Sequence, residues 1–279
     1  MSGFDDMRRQ GAAAGFTPAS LWAATSAWMY RRSRTLIAFL DMRMETLIAA
    51  WIGITVALGL IKVAVSQGGF DGPAEVLATL LPYLLIAFAP VAGYRVAAGS
   101  FPHGLLSAQP VVRLCRYGAW RQIDPISARQ NAAFGPTGFM ASLTAGILLN
   151  VPFRSFEFIL AVPAIPLAAP VWAHSLMIAM TIDVVAMNFF YMVCFVMALR
   201  SIPLFPRMLL FAWVLDIVLQ LAIAHHVASV PGLPVPVADA LRVLLEGNLQ
   251  KVMISGCVWL PYLILSDRVN VTFRQRVRA

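Results

Sequence analysis

The sequence predicts an all-α, polytopic transmembrane helical bundle of about six spans, with an N-terminal interfacial helix. Three observations support this: 60% of the 279 residues are hydrophobic, 12% are charged, and the apolar residues fall in runs long enough to cross a bilayer. An ordinary soluble domain has about 25% charged residues. The net charge of +8 comes from short basic blocks between apolar runs, which indicate membrane orientation. We therefore expect the lipid bilayer as a partner, and no nucleic acid.

The first predicted unit, residues 1–45, is a cytoplasmic segment without a cleavable signal peptide. Within it, residues 16–30 place Trp22 and Trp28 at near-helical spacing ahead of a cluster of arginines. This stretch of about 15 residues is too short to span, and tryptophan beside arginine is typical of the membrane interface. We expect a surface helix, either lying in the headgroup region or docked on the bundle.

The second predicted unit, residues 46–137, contains two spans and a basic cytoplasmic loop. The spans are residues 46–65 and 76–97, and two prolines should kink the second of them. Residues 98–131 are polar and basic without a low-complexity run, so we expect a surface helix or helix pair there rather than a linker.

The third predicted unit, residues 138–279, is a four-span membrane domain with a basic C-terminal tail. Its first span is predicted at 137–151, where Gly138, Ser142 and Gly146 form a small-residue face suited to helix packing. Four prolines in residues 152–170 favour a short extracytoplasmic or re-entrant segment. The remaining elements are predicted as a two-span hairpin at 171–229, a short amphipathic helix at 237–247 and a last span at 248–265.

The hairpin carries the polar side chains that lie deepest in apolar sequence, namely Asp183, Asn188, Asp216 and Gln220. Folding it about residue 202 places Asn188 level with Asp216, and Asp183 near the level of Gln220. A carboxylate at this depth costs roughly 2.5 to 3.5 kcal/mol, so it should face protein or water. Two interpretations remain open: a proton or cation path, and structural hydrogen bonds between helices.

Three histidines gather near the predicted extracytoplasmic end of the hairpin: His174, His225 and His226. Two imidazoles facing each other could hold a b-type haem, and one could ligate a chlorin. Interfacial histidines without a ligand are the commoner case, so no cofactor is expected. The three cysteines are far apart and form neither a metal site nor a disulfide framework.

The basic residues also predict the orientation of the chain. All but four of the 21 lysines and arginines fall on one side of a six-span arrangement. By the positive-inside rule, this predicts that both chain ends are cytoplasmic. The exceptions are Lys62, Arg154, Arg242 and Lys251.

The C-terminal residues 257–273, CVWLPYLILSDRVNVTF, contain the pattern W-x-P-Y-x3-S-x-R-V-x2-T-F. This pattern resembles the end of a family of uncharacterised four-span bacterial inner-membrane proteins, known only as a domain of unknown function. Residues 205–207 and 138–140 are also similar to that family's loop and span opening. The resemblance covers about residues 138–279 and implies a fold without a chemistry. Independently of the family, the tail supplies interfacial anchors, which together with the N-terminal tryptophans are Trp22, Trp28, Trp259, Tyr262, Arg268 and Arg274.

Catalytic and nucleotide-binding signatures are absent from the sequence, so we do not expect an enzyme. The first hypothesis is a non-catalytic accessory or scaffold subunit of a larger complex in the bacterial inner membrane, with protein partners. The alternative is a small-solute or proton transporter that uses Asp183 and Asp216. A haem- or chlorin-binding membrane subunit is the second alternative.

Overall fold

The computed structural model describes residues 18–66, 72–104, 108–110 and 117–279, with the backbone alone for residues 18–27 and 29. Predictions about residues 1–16, the Trp22 side chain, Cys115 and the arginines at 113 and 116 lie outside the described residues. The elements, in chain order, are α1 (Pro18–Ala64), α2 (Pro73–Ser100), β1 (Trp120–Gln122), α3 (Pro125–Gln130), α4 (Phe139–Ala161), α5 (Val171–Leu199), α6 (Phe205–Ser229), α7 (Val235–Leu265), α8 (Asp267–Arg274) and β2 (Arg276–Arg278).

The predicted all-α bundle is confirmed, and the chain is a multi-pass membrane protein. Among the described residues, five helices are long and apolar enough to cross a bilayer: Tyr30–Ala64 within α1, then α2, α4, α5 and α6. α7 and α8, bent by 74° at their junction, form a sixth crossing if counted as one broken span. Many large apolar side chains of these helices are exposed on the surface of the bundle. Because the helices are also long and apolar enough to cross a bilayer, these exposed side chains contact lipid.

The predicted N-terminal surface helix is not a separate element. α1 runs without a break from Pro18 to Ala64, through the arginine cluster and into the first span. The sequence between residues 30 and 46 contains no glycine or proline, so nothing there ends a helix that has already started.

α5 is the central helix of the bundle. It packs against α2, α4 and α6, and most of its side chains are buried. Gly93 marks its closest approach to α2, because a Cβ placed there would lie 2.5 Å from the backbone oxygen of Phe189. Small residues at such contacts let two backbones approach closely, and in a bilayer van der Waals packing contributes much of the stability.

The last crossing is simpler than the sequence suggested, because residues 237–247 and 248–265 form one helix, α7. Gly247 lies between the two predicted pieces, and a single glycine costs a helix only about 1 kcal/mol. α7 packs mainly along α6, and its few buried residues are Leu245, Val252 and Leu263.

A small cap covers the bundle at the end where α2, α5 and α7 finish. β1, from the loop after α2, pairs antiparallel with β2 at the C-terminal end of the chain, and α8 packs beside them. In the described part of the 98–131 loop, the predicted surface helix corresponds to α3, six residues long. Asp124 caps α3, and hydrogen bonds from Ser127 and the backbone lower the pKa of its carboxyl group.

Candidate functional site: a buried arginine–aspartate cluster

Arg154 is buried in the bundle, which corrects the prediction that residues 152–170 lie outside a regular span. α4 continues from Phe139 through Pro152 to Ala161, and its 23 residues replace the predicted span at 137–151. A proline inside a helix removes one backbone hydrogen bond. Continuing the helix past Pro152 places Arg154 beside two carboxylates, and this charge pairing offsets the lost bond.

The guanidinium of Arg154 joins the two aspartates of the hairpin. Its Nη1 and Nη2 donate to Asp216 Oδ2 and Oδ1 at 2.9 and 2.8 Å, a two-pronged contact. Nη2 also donates to the Asp183 carboxylate at 2.8 and 2.9 Å. The side chains are 9%, 2% and 0% exposed for Arg154, Asp183 and Asp216, respectively. One cation in the last third of α4 therefore ties this helix to the middles of α5 and α6.

Neutral side chains complete this group. Gln220 Nε2 donates to both oxygens of Asp183 at 3.1 and 3.2 Å, as the level pairing along the hairpin predicts. Tyr191 donates its hydroxyl proton to Asp216 Oδ2 at 2.8 Å. We call Arg154, Asp183, Asp216, Gln220 and Tyr191 the Arg154 cluster.

Asn188 lies beside the Arg154 cluster but is not joined to the aspartates. Its amide nitrogen donates to Ser155 Oγ on α4 at 2.8 Å, so its partner lies on a different helix from the one that the hairpin geometry suggested. Tyr191, one helical turn further along α5, makes the contact to Asp216 instead. The hairpin geometry gave the level of Asn188 along the helices but not the direction of its side chain.

Two carboxylates around one guanidinium carry a formal charge of −1 if both are ionised. In a low-dielectric interior an unpaired charge is costly, and two adjacent carboxylates usually share a proton. The Arg154 cluster therefore has one carboxylate more than its single guanidinium neutralises.

Some hydrogen-bonding capacity at the cluster is unused. Within the described residues, Arg154 Nε, Gln220 Oε1 and Asn188 Oδ1 are buried and have no protein partner. Buried polar atoms in folded proteins almost always bind water or a ligand when protein partners are lacking. The cluster thus has positions for water or for a polar guest.

A cavity of about 510 Å³ between α4, α6 and α7 reaches this cluster. Arg154, Asp216 and Tyr191 form part of its wall, and Trp213 and Trp259 contribute aromatic surface. The volume falls within the roughly 300 to 1,000 Å³ typical of small-molecule sites.

A second cavity, of about 610 Å³, lies between α6 and α7 nearer the turn that joins them. Gln220 lies at its inner end, while Asp239, Arg242 and Glu246 lie near the turn between α6 and α7. The two cavities therefore touch different members of the Arg154 cluster.

Three residues of the site, Arg154, Tyr191 and Ser155, were not predicted from the sequence as members of it. One signal could have found Arg154: two acids deep in apolar sequence need a cation, and Arg154 is the basic residue that a longer third span would place at their depth. The prolines around it outweighed that signal. Tyr191 and Ser155 left no comparable trace in the sequence.

The three histidines lie where the sequence put them, near the end of the hairpin where α5 starts and α6 ends. His226 Nε2 lies 2.6 Å from Ser175 Oγ, and His174 Nε2 lies 3.2 Å from the carbonyl oxygen of Leu167. No group of three or more metal-ligating side chains occurs within the described part of the chain. A haem between His174 and His226 would require both rings to leave these partners.

The candidate anchors of the last span make contacts with other parts of the protein. Trp259 and Tyr262 stack around Phe139 at the start of α4, with ring centroids 4.9 and 5.1 Å from it. Arg268 donates to Thr137 Oγ1 at 2.7 Å, and Arg274 donates to Asn270 Oδ1. Trp28, by contrast, is 55% exposed near the start of α1.

These features define a class: a multi-pass helical membrane protein with a buried ionic cluster that two cavities touch. No protein family, curated protein or solved structure that was compared with the chain matches it. The resemblance of residues 138–279 to the four-span inner-membrane family stays a prediction.

Proposed function

We propose that this chain is a proton-linked carrier of a small solute in the bacterial cytoplasmic membrane. The observation that supports it is the position of the Arg154 cluster, buried within three spans and in contact with a cavity of about 510 Å³. An ionisable group inside a membrane is costly, and where it occurs it usually marks a substrate or ion pathway.

The charge of the cluster supplies a coupling mechanism. The guanidinium of Arg154 stays protonated and neutralises one of the two aspartates. The other aspartate can hold a proton, and it can release that proton when a solute or water stabilises the ionised carboxylate instead. The two cavities supply separate approaches, one to Asp216 and one to Gln220. A carrier needs both an exchangeable charge and access to it.

The arginine distribution supports the location and orientation of this carrier. Lys62, Arg242 and Lys251 remain the exceptions on the opposite side, while Arg154 belongs to the buried cluster rather than to a loop. With the bias otherwise intact, both chain ends face the cytoplasm.

Proton flux into proteoliposomes under an imposed membrane potential tests the proposal. We expect Asp216→Asn to reduce the flux at least tenfold. In this variant the charges of Arg154 and Asp183 balance each other, so the cluster holds no proton to exchange. Asp41→Asn is the matched control, since Asp41 is exposed on α1 and lines neither cavity, and its flux should equal that of the wild type. Equal flux in wild type, Asp216→Asn and empty liposomes contradicts a carrier.

A second candidate is the non-catalytic accessory or scaffold subunit with protein partners. Ser142 and Gly146 are exposed on α4, and nothing lies within 4 Å of a Cβ placed at Gly146, so this small-residue face is available to another helix. Mild detergent extraction followed by mass analysis tests this role, because a subunit should copurify with stoichiometric partners. Substituting Gly146 by leucine should then release them.

A further inference from the structure

The cavity at the Arg154 cluster opens sideways, toward the lipid-facing surface. Leu149 and Phe153 of α4 line this cavity, yet they are 52% and 63% exposed. Both lie within a span, so their exposed sides face the bilayer. A molecule dissolved in the membrane can therefore reach the cluster without crossing an aqueous phase.

The opening has defined ends. Toward the end of α4, Glu157 and Lys251 form an ion pair that bridges α4 and α7. At the start of α4, Phe139 meets Trp259 and Tyr262. α7 otherwise packs mainly against α6 and α8, so between these two contacts a gap separates it from α4.

The walls of the cavity combine aromatic surface with charged side chains, and the carboxylate of Asp183 lies behind them, bonded to Arg154. Phe153, Tyr191, Trp213 and Trp259 supply four aromatic rings. Glu157 and Lys251 neutralise each other, which leaves the Arg154 cluster with its formal charge of −1 when it holds no proton. Aromatic faces attract cations, and this attraction strengthens where water is excluded. An anion would be repelled by the same aspartates.

We propose that the cavity binds a lipophilic organic cation, which displaces the proton shared by Asp183 and Asp216. This assignment of the substrate class rests on the proposed carrier function. The empty site is protonated and neutral, and the loaded site exchanges that proton for the positive charge of the guest. The released proton goes to water, so each state of the site is electrically balanced and the two ligands compete.

Two probes of matched shape and opposite charge test the cation class directly. Purified protein in detergent is titrated with tetraphenylphosphonium and with tetraphenylborate, and both binding and pH are followed in weakly buffered solution. We expect the cation to bind at least tenfold more tightly than the anion, with release of about one proton per cation bound. Equal affinities, or tighter binding of the anion, overturn the cation assignment.

Two variants assign the binding to this cavity. Asp216→Asn should weaken cation binding at least tenfold and abolish proton release, and Trp213→Leu should weaken binding while proton release per bound cation is retained. Asp41→Asn, at an exposed position on α1 that lines neither cavity, should bind as the wild type does. Wild-type binding in the Asp216 and Trp213 variants places the probe elsewhere and overturns the assignment.

The outcomes also separate this inference from the carrier function. If the cation shows no preference, but proteoliposomes show proton flux that depends on Asp216, the substrate class is wrong and the carrier stands. If neither selective binding nor Asp216-dependent flux is observed, both proposals fail.

Discussion

Arg154 holds together two aspartates that would otherwise repel each other in the interior of the bundle. Replacing Arg154 with methionine keeps an unbranched side chain at this position but leaves two buried carboxylates without a cation. Removing one partner of a buried ion pair typically costs about 3 to 5 kcal/mol. We therefore expect Arg154→Met to lower the melting temperature in detergent strongly, or to prevent folding.

A compensated variant separates charge from packing at this position. Arg154→Met combined with Asp183→Asn and Asp216→Asn removes the whole charge group, and we expect it to regain most of the lost stability. Arg242→Met is the matched control, because its side chain is 77% exposed and its ion pair with Glu246 lies on the surface. A compensated variant no more stable than Arg154→Met alone would contradict an electrostatic role.

Ser201 adopts a conformation that favours glycine. It follows the end of α5 with φ of 55°, and the Ile202 amide bonds back to the carbonyl of Met197, which is a common helix ending. We expect Ser201→Gly to stabilise the protein by about 0.5 to 1 kcal/mol, because the side chain no longer opposes positive φ. Ser229→Gly, at a helical position in α6, should destabilise it instead. Thermal melting of both variants measures the difference.

Among single residues, the sequence identified the acids and amides of the site but not their partners. Depth in apolar sequence singled out Asp183, Asp216 and Gln220, because polar groups in a span are rare enough to be noticed. The direction in which a side chain points depends on helix rotation, which the apolar pattern of these spans does not specify. The partnership of Asn188 with Ser155 could therefore not be predicted.

At the scale of elements, the contact between α2 and α5 depends on one glycine. A Cβ at Gly93 would lie 2.5 Å from the Phe189 carbonyl oxygen, and backbone atoms cannot move aside as a flexible side chain can. We expect Gly93→Ala to push the helices apart and to destabilise the bundle by about 1 to 3 kcal/mol. Unfolding in detergent with increasing denaturant gives the comparison.

Gly99→Ala, in the same helix, is the control. Nothing lies within 4 Å of a Cβ placed at Gly99, so alanine there should be neutral or slightly stabilising through its helix propensity. If both substitutions have the same effect, the close approach at Gly93 does not limit stability.

The limits of helices were harder to predict than their number. Apolar runs gave the spans correctly because burial in lipid demands a minimum length. Two predicted helix limits were wrong: the end of a span before Pro152, and the break between a surface helix and the first span before residue 46. In both places the helix continues, since tertiary contacts at Arg154 and the absence of a breaking residue in α1 outweigh those local signals.

At the scale of the whole molecule, the three segments that carry the sequence resemblance meet at one end of the bundle. Phe205 lies 5.0 Å from Phe273 between ring centroids, and Phe139 lies 4.9 Å from Trp259. Thr272 Oγ1 also accepts a hydrogen bond from the backbone of Gly135. The segments are separated in sequence but form one packing unit, which gives a physical reason for them to occur together.

The pairing of β1 with β2 fixes two distant parts of the chain on the same side of the membrane, and this allows the topology to be tested. Gln122 and Arg276 are directly opposite each other, between the hydrogen-bonded pairs of the ladder, where Cα atoms are about 4.5 Å apart. That separation suits a disulfide. With Cys115 and Cys257 replaced by alanine, we expect Gln122→Cys and Arg276→Cys to cross-link under mild oxidation, whereas Gln122→Cys and Ser229→Cys should not.

A membrane-impermeant maleimide should label Gln122→Cys only from the cytoplasmic side and Ser229→Cys only from the opposite side. A bundle with both ends in the cytoplasm requires an odd number of crossings between Gln122 and Ser229. Labelling of both positions from the same side of the membrane would contradict this topology.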